Sequence, residues 1–413
     1  MSKLSEVERL PYIIKSHKST INESLIALFI CAIGDLCAGI ILGNMTFFFK
    51  SFPGLLVLIP GAIGMRGNIF GSFASRISSN LHIGTLEPEF KQSSILNINF
   101  SSSIILTMVL SLFLAIFAKI MCIIIGLNSI SLMDFILISL FAGFISCLIM
   151  LPITLFISFK SYNGGWDPDN VTTPIVAAFG DLFTLPCIIL SIFILEFLNL
   201  NLFVKTIIFI ILIIMVIALF IHALYSDDYL KTILKQSTPV LVFCSFLGIF
   251  AGTVLDSFAS TLLNNPTILT LVPLFSGESG NLVSILGARL SSGIHSGLIE
   301  TEFKINESVA INFIIIALLS VIVYPTIAII ADLFSIILNI QTFSILHLIL
   351  ISLLSGTVLI PIMMVIVFFI GIYSFNKGLD PDNVVIPIST SITDALSNSL
   401  LIFFSFIVIT FML

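Results

Sequence analysis

The chain contains one segment twice, at a constant offset of 213 residues, and the copies agree in their polar residues. Pro60 to Phe90 reads PGAIGMRGNIFGSFASRISSNLHIGTLEPEF, and Pro273 to Phe303 reads PLFSGESGNLVSILGARLSSGIHSGLIETEF; 12 of 31 positions are identical without a gap. A second pair keeps the same offset: DPDNVTTPIVAAFGD from Asp167 and DPDNVVIPISTSITD from Asp380, with 8 of 15 positions identical. Any fold for this chain must therefore build one unit twice.

The solvent for that unit is a bilayer. Hydrophobic residues make up 58% of the 413 and charged residues 9%, with a mean hydropathy of +1.22. So few charges cannot cover the surface of a soluble protein of this size. Apolar runs of about 20 residues recur, enough for a helix to cross roughly 30 Å of hydrocarbon. They lack the alternation of barrel strands. The expected spans are Ile21–Gly43, Pro53–Ile77, Ser102–Ile125, Met133–Phe159 and Val171–Phe197, then Phe203–Leu224, then Thr238–Leu255, Ile268–Leu290, Val309–Phe334, Phe343–Ile372 and Val384–Phe411. The fold class is an all-α polytopic membrane protein with two five-helix repeats and one linking helix. A short segment, 1–20, precedes a first membrane domain at 21–198, a linker at 199–236 and a second membrane domain at 237–413. Five spans alone would invert the second copy. The extra helix restores its direction, so the repeats are parallel and their pseudo-two-fold axis lies along the membrane normal. The result is a dimer fused into one chain.

Lys and Arg set the expected orientation. With the N-terminus in the cytoplasm, all but Lys50, Lys205, Arg66 and Lys119 fall inside; the first two lie outside and the others within spans. The C-terminus is then extracytoplasmic, and the expected location is the plasma membrane. The first span is too long for a cleaved signal peptide and reads as a retained anchor. No basic stripe for nucleic acid is present. The six cysteines fall in apolar spans without a CxxC and read as free, buried, small side chains. Trp166 reads as an interfacial anchor.

Polar residues inside the spans carry the functional information. Asp181 and Asp394 each lie near the middle of a span, where a carboxylate costs several kcal/mol unless it has a partner or faces water. Repeat symmetry sets them opposite each other, and two facing anions call for a cation between them or a proton on one. A divalent cation meets that need. Gly64, Gly67 and Asn68, four or more residues after Pro60, recur as Gly277, Gly280 and Asn281 after Pro273. Proline removes a helix hydrogen bond, and glycines three apart admit another backbone. A helix broken there, with Asn68 and Asn281 lining an ion path, is one reading; plain packing on small residues is the other. Glu278 joins the candidate ion-binding residues. Arg66 and Glu278 are expected to pair across the axis, either tuning the path or holding the halves together. Asp167, Asp169 and Asn170, repeated as Asp380, Asp382 and Asn383, would stand at a cytoplasmic pore mouth and gather cations, or cap the following helices. Asp35 and Asp256 have no acidic mates, since Gly248 and Gly43 occupy the equivalent places, and receive no more than a supporting role. Two further readings of the Asp pair stand beside transport: an intramembrane aspartyl protease, and a membrane scaffold that moves no ion. No P-loop, GxSxG or HExxH supports an enzyme.

At these motifs the chain resembles the MgtE family of magnesium transporters, in its duplicated, solute-carrier branch. The residues that carry the resemblance are Pro60…Gly64-x-x-Gly67-Asn68, Ala74-Ser75-Arg76, Asp167-Pro168-Asp169-Asn170…Pro174…Asp181, and their partners at 273–289 and 380–394. The resemblance implies a central ion path lined by the second and fifth helices of each repeat. It implies that Asp181 and Asp394 hold hydrated Mg²⁺ as substrate, with Asn68 and Asn281 nearby and no cofactor. Bacterial members of the family carry cytoplasmic CBS domains; here about twenty residues precede the first span, so regulation is expected to come from elsewhere.

Overall fold

The computed structural model describes residues 15, 17–89, 93–164, 168–197, 202–258, 266–295, 297–338, 344–377 and 381–412. Among these residues there are twelve helices and no strands. They are α1 (Lys18–Asn44), the short α2 (Thr46–Ser51), α3 (Leu55–Ile83), α4 (Ser94–Ile125), α5 (Leu132–Asn163), α6 (Pro168–Phe197), α7 (Leu202–Tyr225), α8 (Asp228–Ser257), α9 (Pro266–His295), α10 (Glu307–Ile337), α11 (Ile345–Asn376) and α12 (Pro381–Met412). All but α2 are long and apolar enough to cross a membrane, which makes 11 candidate spans.

The duplicated sequence makes duplicated contacts. α1 packs on α9 of the other repeat, and α8 packs on α3; α3 meets α6 as α9 meets α12; α4 and α5 pair as α10 and α11 do. The polar details follow the 213-residue offset. Arg76 Nε donates to Asn99 Oδ1 at 2.7 Å, and Arg289 Nε to Asn312 Oδ1 at 2.6 Å. Ser139 Oγ donates to the Ser111 carbonyl and Ser352 Oγ to the Tyr324 carbonyl, both at 2.8 Å. Ser93 caps α4 through the Leu96 N–H, and its equivalent Asn306 caps α10 through the Val309 N–H. Such caps satisfy N–H groups that a helix start leaves free. Gly84 and Gly297, at φ +77° and +73°, turn the chain out of α3 and α9; only glycine takes that left-handed conformation freely.

α3 and α9 form the centre, with 72% of each span's most apolar window buried, whereas α7 buries 11% of its own. α7 packs lightly, chiefly against α4, α5 and α8, and exposes Phe203, Ile207, Ile211 and Ile214. A helix apolar on every face with little protein around it belongs in lipid.

Two expectations need correction. α3 and α9 are continuous, with Pro60 and Pro273 inside them, so neither helix is broken. Pro60 falls in the second turn of α3 and Pro273 at the start of the third turn of α9, where each removes one ladder bond without ending the helix. The freed carbonyl in α3 is that of Leu56. It faces Gly252 of α8, whose missing Cβ would stand 2.8 Å from that oxygen. The second difference is α8, which begins at Asp228, ten residues before the expected Thr238, and runs through Pro239. The linker loop is thereby reduced to Ser226 and Asp227.

Candidate ion-binding site

Asp181 is the fourteenth residue of α6 and Asp394 the fourteenth of α12. At 1.5 Å per residue each carboxylate lies roughly 20 Å along its helix, near the middle of a membrane. Both reach α3. A Cβ at Gly64 would stand 3.3 Å from Asp394 Oδ2, and one at Gly67 would stand 3.9 Å from Asp181 Oδ1. The two glycines expected at the path are thus the positions against which the two acids lie. A side chain at Gly64 would press on the Asp394 carboxylate, while one at Gly67 would only touch that of Asp181. Asp181 and Asp394 are also electrostatic neighbours.

The surroundings of the two acids differ. Asp394 Oδ1 accepts a hydrogen bond from Ser276 Oγ at 2.8 Å, and Ser397 Oγ donates to that serine at 3.0 Å. The residue equivalent to Ser276 is Ile63, so Asp181 has no serine. Its carboxyl lies within hydrogen-bonding reach of Asp35 on α1. Asn68 Nδ2 donates to Ser391 Oγ of α12 at 3.3 Å. Ser391 corresponds to Ala178 in the other repeat, which offers no hydroxyl, and Asn281 Nδ2 donates to Glu278 Oε1 on its own helix, at 3.5 Å. Gly277 lies directly under the Asp35 carboxylate, whereas no atom lies within 4 Å of a Cβ built at Gly280. Among the described residues, no three His, Cys, Asp or Glu side chains stand in ready-made ligating geometry.

Burial along α3 and α9 is one-sided. Leu55–Ala62 and Thr267–Ser276 are buried without exception. From Gly64 onward, Gly64, Gly67, Asn68 and Ser72 keep open surface; on α9 the same is true of Gly277, Asn281 and Ser284. These positions recur at helical spacing and define one face of each helix. Asp181 and Asp394 also keep open surface. The acids are therefore reached along the C-terminal halves of α3 and α9 and shut off along the N-terminal halves.

Arg66 and Glu278 do not pair. Both are 1% exposed, but the described residues hold no ion pair between them. Arg66 Nη1 donates to the Ala62 carbonyl at 3.3 Å and its Nε has no partner. Its neighbours include Cys147 of α5 and Cys187 of α6. The reason is helical phase: Glu278 is the equivalent of Met65, not of Arg66, and one residue turns a side chain by about 100°. The equivalent of Arg66 is Ser279, which hydrogen-bonds the Tyr324 hydroxyl at 3.0 Å. In repeat two the bulk beside Ser279 is that of Tyr324, whose equivalent in repeat one is the small Ser111. A double-mutant cycle on Arg66→Met and Glu278→Gln should give stability changes that add within about 0.5 kcal/mol, checked by thermal unfolding in detergent.

The pore-mouth residues Asp167 and Asp380, with Trp166, lie outside the described residues. Asp169, Asn170, Asp382 and Asn383 stand in the first turns of α6 and α12, after a proline at the first helical position; their side chains are outside the described part. Asp35, given no more than a supporting role from sequence, lies against Gly277 and beside Asp181. Its one available signal was an acid in a span that the other repeat replaces with Gly248.

The family model of MgtE, described as divalent cation transporter, matches residues 59–192 and 272–405. Solute carrier family 41 member 3 of Rattus norvegicus is 24% identical over 421 residues, covering 96% of this chain and 89% of the relative. Solute carrier family 41 member 2 of Xenopus laevis is 26% identical over 280 residues, covering 66% of this chain and 49% of the relative. The human member 2 is 26% identical over 286 residues, covering 66% and 48%. This chain thus aligns with about half the length of the member 2 proteins. No solved structure matches it significantly. Each of the two matched stretches takes in one Pro-Gly-Gly-Asn helix and one central Asp, and together they span more than half of the sequence: the chain belongs to the MgtE family of divalent cation transporters, which are not enzymes.

Proposed function

We propose that this multi-pass membrane protein carries Mg²⁺ through a central path between its two repeats, and that Asp181 and Asp394 bind the ion together. The observation that carries this reading is the convergence of both acids on Gly64 and Gly67 of one central helix. Neither acid has an ion pair among the described residues. Two carboxylates neutralise one divalent cation. Oxygen donors favour hard cations, and Mg²⁺, which gives up water reluctantly, is held through its hydration shell by few protein groups. Asn68 and Asn281 would offer amide oxygens to the ion's water. The charge bias of the loops supports an orientation in which the open ends of α3 and α9 face the cytoplasm.

The test is flux. Purified protein in proteoliposomes should carry Mg²⁺ to an entrapped indicator, and Mg²⁺ should compete with Co²⁺ and Mn²⁺ more effectively than Ca²⁺ does. A chain that inserts and folds but moves no divalent cation would support the scaffold reading instead.

The one-sided opening gives a second expected result. In a cysteine-free background, Ser72→Cys and Ser284→Cys should react with a membrane-impermeant thiol reagent from the side of the α3 and α9 C-termini. Leu58→Cys should react from neither side. Labelling of Ser284→Cys only from the opposite side would reverse the orientation.

A further inference from the structure

Two further carboxylates, Asp35 and Glu278, lie in the neighbourhood of Asp181 and Asp394. Asp35 lies close enough to interact with Asp181, Glu278 and Asp394. Asp35 and Glu278 are each 1% exposed. Asp35 Oδ2 and Glu278 Oε2 have no hydrogen-bond partner, and neither acid has an ion pair among the described residues. An unpaired buried carboxylate is costly, and two such groups side by side are costlier.

The glycines show where Asp35 belongs. Repeat symmetry equates Gly64 with Gly277. At Gly64 the carboxylate of Asp394 covers the helix; symmetry would set Asp181 at Gly277. Asp35 occupies that place, and Asp181 is displaced toward Gly67 and touches Asp35. The reverse substitution is sterically closed, because a Cβ at Gly248 would stand 2.5 Å from the Gly61 Cα. The asymmetry is thus built into the packing of α1 on α9 and of α8 on α3.

We propose that Asp35 is a third cation-binding carboxylate, taking at Gly277 the role that Asp394 takes at Gly64, so that the ion is held off the pseudo-two-fold axis by Asp35, Asp181 and Asp394. The proposal rests on the reading of Asp181 and Asp394 as the ion-binding pair and adds a group that the repeat pattern does not contain. Glu278, one residue beyond Gly277, adds negative potential to the same side.

The test uses the purified full chain and Mg²⁺ alone, with Mg²⁺-dependent thermal stabilisation as the readout. Asp35→Asn should raise the half-saturating Mg²⁺ concentration roughly tenfold or more, as expected for removal of one charge beside a divalent ion at an effective dielectric near 20. Gly277→Ala, which presses a methyl group on the Asp35 carboxylate without changing charge, should shift it in the same direction. Asp332→Asn, at a buried acid of α10 whose Oδ1 has no partner, should shift it less than twofold. If Asp35→Asn and Gly277→Ala both match the parent while Asp181→Asn and Asp394→Asn lose the Mg²⁺ response, Asp35 is not a ligand and the paired site stands. If Asp35→Asn does not fold, Gly277→Ala decides by the same criterion. If none of the four shifts the Mg²⁺ response, the paired site falls as well.

Discussion

Asp181→Asn and Asp394→Asn should each lower Mg²⁺ flux in proteoliposomes by roughly tenfold or more, while the protein still inserts and unfolds at or above the parent temperature. The sign of the stability effect follows from electrostatics. Each substitution removes a charge from a site with no paired cation among the described residues, so the empty protein loses repulsion. The loss of flux follows from the same charge, since it is the ion's counter-charge in a low-dielectric centre. The double variant should be little worse than either single one, because groups that act on one bound ion are not additive. Additive losses would assign the acids to separate ions, and loss of folding without selective loss of flux would make them structural.

The second large effect concerns packing rather than ions. Gly252 of α8 and Gly39 of α1 occupy equivalent places at the two central crossings. A Cβ at Gly252 would collide with the Val57 carbonyl of α3, and one at Gly39 would collide with the Thr270 carbonyl of α9. Backbone atoms cannot yield as a side-chain end can. Small residues at such crossings let helices in a membrane approach closely. Gly252→Val should therefore cost about 3 kcal/mol or more, above the usual range for overpacking, and Gly39→Val a similar amount. Gly371→Ala, whose Cβ would find its nearest neighbour at 3.9 Å, should cost less than about 1 kcal/mol, the intrinsic scale of a Gly-to-Ala exchange in a helix. Unfolding of the three variants in detergent checks the ranking; equal midpoints would remove these crossings from the account of stability.

Much of this architecture was legible in the sequence because the repeat is strict. The offset of 213 residues predicts the contacts of the second half from those of the first, down to the Arg76–Asn99 and Arg289–Asn312 bonds. The arginines were visible as a repeated pair; their asparagine partners, set in apolar helices 23 residues on, were not. The central position of Asp181 and Asp394 follows from span length alone. The fates of Pro60 and Pro239 were not legible, since whether a proline breaks a helix depends on what packs against the freed carbonyl. Arg66 and Glu278 misled because opposite charge was read without helical phase. Asp35 was hidden for the converse reason. Periodicity reports what the repeats share, and Asp35 is something they do not: an acid on α1 where α8 has Gly248.

The most direct measurement is the position of the ion. Anomalous diffraction from crystals soaked in Mn²⁺, a hard cation of the same charge, should show a peak between α6 and α12 beside Gly64. That peak should lie roughly 4–5 Å from carboxylate oxygens of both Asp181 and Asp394, the distance for binding through one layer of water. It should weaken when Mg²⁺ is added. Mn²⁺ bound in competition with Mg²⁺ elsewhere in the molecule, with no density at the two aspartates, would contradict the shared site.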